Sequence, residues 1–160
     1  MIPLFSFTAW SNTGKTTYME KLIAELTKRG VRVAAVKHDG HNLALDKPGK
    51  DSWRFAQAGA ETVAVSSGEV SAVMYYRPLS LDEILSHISG VDIILLEGWH
   101  GEGRNLIAVH RAATGQELKV PAEKCLAVVS DVVLDTGSTP LFPLDDVSPM
   151  ADFLMEKIKV

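Results

Sequence analysis

The chain has 160 residues, of which 46% are hydrophobic and 22% charged, with a formal net charge of −4 and a pI near 5.7. This length and composition predict one soluble domain, residues 1–160, that buries its core without disulfides or structural metal. The acidic balance provides no basic surface for nucleic acid or a membrane, which excludes both as partners. A single cysteine, the lack of a signal peptide and the lack of an apolar run of ~18 residues predict a reducing, cytoplasmic location.

The first predicted elements are a strand over residues 3–8 and a helix whose apolar residues repeat at helical spacing up to Gly30. Between them the chain reads A-W-S-N-T-G-K-T-T at 9–17. Strand, loop and helix in this order are typical of a phosphate-binding loop, where backbone N–H groups and the helix N-terminus bind phosphate oxygens. The nucleotide-binding residues predicted here are Asn12, Thr13, Gly14, Lys15, Thr16 and Thr17.

The side chains that follow Gly14 have distinct predicted roles. Lys15 would reach the β and γ phosphates, Thr16 would place its hydroxyl on Mg²⁺, and Thr17 would bond an inner phosphate. Ala9 departs from the pattern G-x-x-x-x-G-K-[ST], and it suits the loop only if its φ is negative. The alternative is a merely polar helix start with Thr13 as its N-cap, but the flanking strand and amphipathic helix favour phosphate binding.

A second strand over residues 31–37 completes a βαβ unit and leads into a long connection at 38–51. We interpret this connection as a switch-like loop beside the phosphates, with Asp39 as a second carboxylate near Mg²⁺. Zinc is disfavoured because the spacing of His and Asp here matches no structural zinc signature. A solvated loop without catalytic role stays an open alternative for each of its residues.

The middle of the chain predicts two short helices and a hairpin. Ser52 is the expected cap of a helix that Gly59 stops, and Ser80 with Glu83 forms a capping box. The strand-like runs at 61–66 and 71–76 flank a turn, which predicts a β-hairpin.

The run V-D-I-I-L-L-E-G at 91–98 predicts a central parallel strand that is buried on both faces. Glu97 ends this strand, where proteins with phosphate loops keep the acid that orders the water shell of Mg²⁺. Later strands are expected at 105–109, 125–129 and 140–142, and a last helix begins at Ser148. The order predicts an α/β, P-loop NTPase-like three-layer fold with a mainly parallel central sheet and an inserted β-hairpin.

Two further sets of residues are weaker candidates. Asp131 follows a predicted strand and would accept hydrogen bonds from guanine N1 and N2; the alternative is an acid in a turn. Arg104 fits a mobile loop where a guanidinium meets phosphate charge. Periodicity does not decide whether Arg54, Arg77 and Arg111 do the same or pair with surface acids.

Six motifs together resemble the MobB family, the molybdopterin-guanine dinucleotide biosynthesis adapter proteins. They are W-S-N-T-G-K-T-T at 10–17, V-K-H-D-G-H at 36–41, D-K-P-G-K-D-S-W-R at 46–54, Q-A-G-A at 57–60, L-L-E-G-W at 95–99 and V-H-R at 109–111. The motif at 46–54 is far more specific than the phosphate loop, which many unrelated NTPases share.

The resemblance implies a homodimeric GTP-binding protein that assists the guanylyltransferase attaching GMP to molybdopterin. Carried onto this sequence, it places Gly14, Lys15, Thr16 and Thr17 on the phosphates and Glu97 near the metal. With the residue-based assignments, Lys15 and Glu97 are the expected catalytic residues, Thr16, Asp39 and Glu97 would surround Mg²⁺, and Asp131 is the candidate for binding the guanine base. Lys47 and Lys50 are candidates for contact with phosphate or with molybdopterin itself. Slow GTPase activity is expected, because phosphoryl transfer to water needs an oriented nucleophile and a transition-state cation. A small-molecule kinase is the runner-up, and an interaction protein with a decayed nucleotide site is the third reading.

Overall fold

The computed structural model describes residues 1–38, 45–99 and 103–158, which form two compact units. The first unit comprises Met1–His38 and Ile88–Val160, and the second comprises Asp39–His87. This division does not decide whether the chain folds as one domain. Within the described ranges, each helix is too short or too polar to cross a membrane.

The first unit contains a six-stranded sheet in which every pairing is parallel. In chain order the strands are β1 (Leu4–Thr8), β2 (Val33–Lys37), β5 (Ile93–Glu97), β6 (Leu106–Val109), β7 (Ala127–Ser130) and β8 (Leu141–Pro143). Their order across the sheet is β2-β5-β1-β6-β7-β8. The predicted parallel α/β fold is therefore confirmed.

The sequence explains why β1 and β5 lie at the centre of this sheet. Strand β5 is continuously apolar up to Glu97, β1 adds Ser6 and Thr8 to its apolar residues, and all of β1 and the first four residues of β5 are buried. Such strands have no face suited to water, so they require a covering on both sides. Their register pairs Phe7 with Glu97, which brings the end of β5 beside the end of β1.

The two faces of the sheet are covered differently. Helices α1 (Lys15–Lys28) and α4 (Ser148–Ile158) pack against each other and share the main hydrophobic core, which includes Tyr18. Burial raises the pKa of Tyr18, so its phenol stays neutral. A smaller core around Ala108 and Val128 includes residues from the irregular segment 110–126. This segment contains two single-turn 3₁₀ helices, Ala112–Thr114 and Ala122–Lys124. The layer that it adds to the predicted three-layer fold is therefore built from irregular chain and not from an α-helix.

The second unit contains α2 (Asp51–Gln57), β3 (Thr62–Ser66), β4 (Ser71–Tyr75) and α3 (Leu81–Ser86). Strands β3 and β4 form the predicted antiparallel hairpin, and Ser80 and Glu83 form the predicted capping box at α3. The predicted cap at Ser52 is wrong: α2 begins one residue earlier, at Asp51. Lys50 is the N-cap, so Ser52 lies inside the first turn, and its hydroxyl donates to Asp46 Oδ1 at 3.1 Å.

Candidate functional site

A cavity of about 470 Å³ opens in the first unit where β1 and β5 end and α1 begins. Its lining comes from the end of β1, the β1–α1 loop (residues 9–14), the first turn of α1, Glu97, Gly98 and Lys119. All six predicted nucleotide-binding residues from Asn12 to Thr17 line it. In parallel α/β sheets ligands bind at the carboxyl ends of the strands, so this is the expected place for a site.

Two side chains converge on one carboxylate oxygen of Glu97 in this cavity. The Lys15 ammonium contacts Glu97 Oε1, and the Thr16 hydroxyl donates to the same oxygen at 3.3 Å. The Lys15 and Glu97 side chains are only 15% and 13% exposed. From the sequence, Lys15 was assigned to the phosphates, and Thr16 and Glu97 were assigned to Mg²⁺. The pairing of β1 with β5 brings all three together.

The β1–α1 loop reaches α1 through a left-handed residue, Gly14, which has a φ of 84° and is the helix N-cap. The described side chains make no cap hydrogen bond there, and the Thr13 hydroxyl donates to the Trp10 carbonyl at 3.0 Å. Thr13 is therefore not the N-cap, as the alternative reading of the loop would require. In the described ranges the non-glycine residues with positive φ are Asn12 and Asn105, so alanine fits at Ala9 without backbone strain.

Arg111 is the arginine that the structure places against this loop. Its Nε donates to the Thr13 carbonyl at 2.9 Å, and its Nη2 lies 2.8 Å from where a Cβ on Gly14 would stand. The other two candidates pair with acids in the second unit: Arg54 with Asp51 at 3.7 Å and Arg77 with Glu83 at 3.1 Å. Arg111 thus supports the loop backbone at Thr13, the residue before the left-handed Gly14.

Gly98 holds Glu97 at the end of β5 by a close backbone approach. A Cβ on Gly98 would lie 2.3 Å from the His38 carbonyl oxygen, and the Gly98 φ is 91°. The His38 N–H donates to the Glu97 carbonyl at 2.8 Å, and the His38 ring lies 4.5 Å from the Trp99 ring. These contacts fix the chain on both sides of the carboxylate.

The remaining predicted residues lie elsewhere. Asp131 accepts a hydrogen bond from the Ala112 N–H at 2.8 Å and lines a separate cavity of about 440 Å³ near the ends of β7 and β8. Arg104 is anchored through its backbone, whose N–H donates to the Ser6 hydroxyl at 3.1 Å. Lys47 and Lys50 are exposed in the second unit. Asp39 lies outside the described residues.

The oxygen donors in the main cavity fit the magnesium site predicted from the sequence. Thr16 and Glu97 present a hydroxyl and a carboxylate to the same point, and Mg²⁺ prefers such hard oxygen ligands together with water and phosphate. Among the described residues no cluster of three or more His, Cys, Asp or Glu side chains has the arrangement of a protein-only metal site. The donor set thus fits an ion held largely by phosphate and water.

A double-mutant cycle tests whether Thr16 and Glu97 act on one ion. If they share Mg²⁺, the losses of GTP affinity in Thr16→Val and Glu97→Gln should be non-additive by ~0.5–3 kcal/mol at saturating Mg²⁺. Calorimetric titration of each variant, with Mg²⁺ and with chelator, measures the interaction energy. Pairing Thr16→Val with the exposed Glu123→Gln is the control, for which additive effects are expected. Additive losses in both pairs would remove Glu97 from the ion.

Comparison with known proteins places this chain among sequences of one family. A family model described as MobB, molybdopterin guanine dinucleotide synthesis protein B, matches residues 4–131. The molybdopterin-guanine dinucleotide biosynthesis adapter protein of Escherichia coli K12 is 40% identical, covering 98% of this chain and 93% of that protein. The protein of the same name from Haemophilus influenzae is 38% identical over 96% of this chain and 88% of its own length.

A crystal structure of molybdopterin-guanine biosynthesis protein B superposes with a TM-score of 0.72 at 27% identity, over 98% of this chain and 99% of that one. The likeness covers both units, and it is consistent with the predicted P-loop NTPase-like fold. The extent of the family match and the identity to full-length relatives lead to one assignment. This chain belongs to the MobB family of molybdopterin guanine dinucleotide synthesis proteins.

Proposed function

We propose that this protein is a GTP-binding accessory protein of molybdopterin guanine dinucleotide biosynthesis that assists the guanylyltransferase and hydrolyses GTP slowly. Its relatives carry the name of biosynthesis adapters, which supports the pathway. The observation that carries the nucleotide part is the convergence of Lys15 and Thr16 on Glu97 beside the β1–α1 loop.

Each of these residues has a definite task in the proposed site. The backbone N–H groups of the β1–α1 loop and the start of α1 bind phosphate oxygens, and Lys15 neutralises the terminal phosphates. Thr16 and Glu97 would hold Mg²⁺ directly and through water, and the ion would neutralise charge that develops on the phosphates. The Arg111 Nε is engaged by the Thr13 carbonyl, so this arginine supports the loop from the side of β6.

We expect the protein to hydrolyse GTP slowly. An arginine finger contributes ~10³–10⁵ to the rate of GTP hydrolysis, and the described cavity lining contains lysines but no arginine. Asp131 remains our candidate for reading guanine, since carboxylates accept hydrogen bonds from N1–H and the 2-amino group. Its cavity near the ends of β7 and β8 has room for a base.

If the protein is an adapter, nucleotide and partner must be linked thermodynamically, each changing the affinity for the other by the same factor. We expect GTP with Mg²⁺ to change the affinity for a molybdopterin guanylyltransferase by about 5–150-fold, the usual range of allosteric coupling. Titrating the transferase with and without nucleotide measures the factor. In the Lys15→Ala variant the partner affinity should no longer respond to nucleotide. Partner binding that is absent, or indifferent to GTP in the native chain, would refute the adapter function.

A small-molecule kinase is the second candidate, and one observation favours it. A smaller cavity of about 210 Å³ adjoins the main one and shares Phe7, Thr8, Gly98 and Lys119 with it. An acceptor bound there would lie beside the phosphates. A γ-phosphate transfer assay with pterins and nucleosides separates the two functions. The adapter predicts no labelled small molecule, whereas labelled product without transferase binding would favour the kinase.

The exposed apolar surface of the second unit supports the proposed homodimer. Leu45 and Val73 are 76% and 55% exposed and line one cavity of about 500 Å³, and Phe55 in the same unit is 61% exposed. Exposed apolar surface of this kind marks sites of protein interaction. Val73→Glu should therefore weaken dimerisation by ~100-fold or more, because an unpaired carboxylate would be buried between the copies. Sedimentation equilibrium measures the effect, and Val133→Glu in the first unit, at a valine that is 92% exposed, is the control. A native monomer, or a Val73→Glu dimer as tight as the control, would contradict the proposal.

A further inference from the structure

The segment that follows β6 packs directly on the β1–α1 loop. The indole N–H of Trp10 donates to the Glu117 carbonyl at 2.9 Å, across 107 residues of sequence. Two residues further on, the Lys119 ammonium lies 5.5 Å from the centroid of the Trp10 ring. Trp10 is thus held between a hydrogen bond and a cation, and Lys119 is held near the loop.

Lys119 also changes the electrostatics of the main cavity. Among the described residues that line it, the ionisable side chains are Lys15, Glu97 and Lys119. The lining therefore presents two ammonium groups and one carboxylate, and that carboxylate contacts Lys15. Lys119 lies over the Trp10 ring and is only partly exposed to bulk water. Because water screens charge strongly, its attraction for a bound anion is stronger here than it would be in full solvent.

We propose that Lys119 is a second phosphate-binding cation, which contacts the polyphosphate of the nucleotide from the segment after β6 while Lys15 does so from α1. The inference rests on the proposed nucleotide function and adds a residue to it. A polyphosphate carries more negative charge than Mg²⁺ and one lysine neutralise, so a second cation in the lining has a clear electrostatic purpose.

A purely structural Lys119 is the competing explanation, and the choice of variants separates the two. Lys119→Met keeps a long apolar stem against Trp10 and removes the charge, whereas Lys119→Arg keeps both charge and ring contact. Lys124→Met removes an exposed lysine from the same segment and serves as the control. Lys119→Gln is a second neutral variant in case the methionine disturbs folding.

The test is calorimetric titration with GTP, GMP and inorganic pyrophosphate, each with Mg²⁺, alongside thermal unfolding. Loss of a charge-assisted contact predicts that Lys119→Met weakens GTP and pyrophosphate alike, by ~10-fold or more. GMP should change less, and Lys119→Arg and Lys124→Met should bind as the native chain does.

Other results are equally decisive. If the neutral variants bind GTP like the native chain, or if GTP weakens and pyrophosphate does not, Lys119 is not a polyphosphate contact. Equal losses for GMP and GTP together with a lowered melting temperature would give it a structural role. A native chain that binds neither GTP nor pyrophosphate would overturn the proposed function and this inference with it.

Discussion

Replacing Gly98 with alanine is expected to destabilise the protein by ~3 kcal/mol or more, because two costs of ~1–3 kcal/mol each combine at this residue. The Gly98 φ is 91°, a conformation that residues with a Cβ rarely adopt. The added Cβ would also stand 2.3 Å from the His38 carbonyl oxygen, which is backbone and cannot rotate away. Urea unfolding of the native and variant chains measures the loss.

Gly30→Ala is the matched control for this prediction. Gly30 has a φ of 83°, close to that of Gly98, but nothing lies within 4 Å of its Cβ position. The control should therefore lose only the backbone term, ~1 kcal/mol. Similar losses in the two variants would show that the contact between the ends of β2 and β5 is easily relaxed, and Glu97 would then be held less firmly than the structure indicates.

Lys15→Ala should lose most GTP affinity while the fold is kept. The ammonium is only partly exposed and lies at the start of α1, so its contact with phosphate would be charge-assisted and largely desolvated. Such a contact is worth ~1.5–3 kcal/mol, which corresponds to about tenfold to over a hundredfold in the dissociation constant. Calorimetric titration with GTP and Mg²⁺ measures the change.

The exposed Lys21 on the same helix supplies the control, because Lys21→Ala removes one positive charge without touching the cavity. It should bind GTP and melt like the native chain, whereas Lys15→Ala should stay folded but melt lower, because the Glu97 carboxylate loses its partner. A folded Lys15→Ala chain with native GTP affinity would refute the assignment of the β1–α1 loop to phosphate.

Local patterns carried the prediction of the fold and of a carboxylate at the end of β5. The short apolar run before the loop identified β1, continuous apolarity identified β5 as a central strand, and parallel strands end at the same edge of a sheet. The direct contact between Lys15 and Glu97 was not predicted, because the two residues had been assigned separately to the phosphates and to Mg²⁺. The capping box at Ser80 was equally local, since its two hydrogen bonds span three residues.

Contacts made by the irregular segment 110–126 could not be predicted in this way. It has neither helical nor strand periodicity, so the sequence gives no direction for its side chains. Arg111 stayed one of three equivalent arginines until the pairing of β6 with β1 brought it to Thr13. Lys119 had no signal at all, because its place depends on Trp10, 109 positions earlier in the sequence.

The cap predicted at Ser52 shows how a local rule misses a helix boundary. Serine is a favoured N-cap, but α2 begins at Asp51 with Lys50 as its N-cap, and the Ser52 hydroxyl donates to the Asp46 carboxylate six residues earlier. Asp46 also accepts the N–H of Lys47 at 2.8 Å, so one side chain organises the start of the D-K-P-G-K-D-S segment. The predicted role of Asp39 stays a prediction, since it lies outside the described residues.

Titration of the purified native protein with GTP and Mg²⁺ tests the central claim most directly, with ATP and a chelator as parallel arms. The account predicts saturable binding at one site per chain, weakened when Mg²⁺ is removed and lost in Lys15→Ala. Heats no larger than those of dilution at millimolar GTP, from a protein shown to be folded, would contradict it.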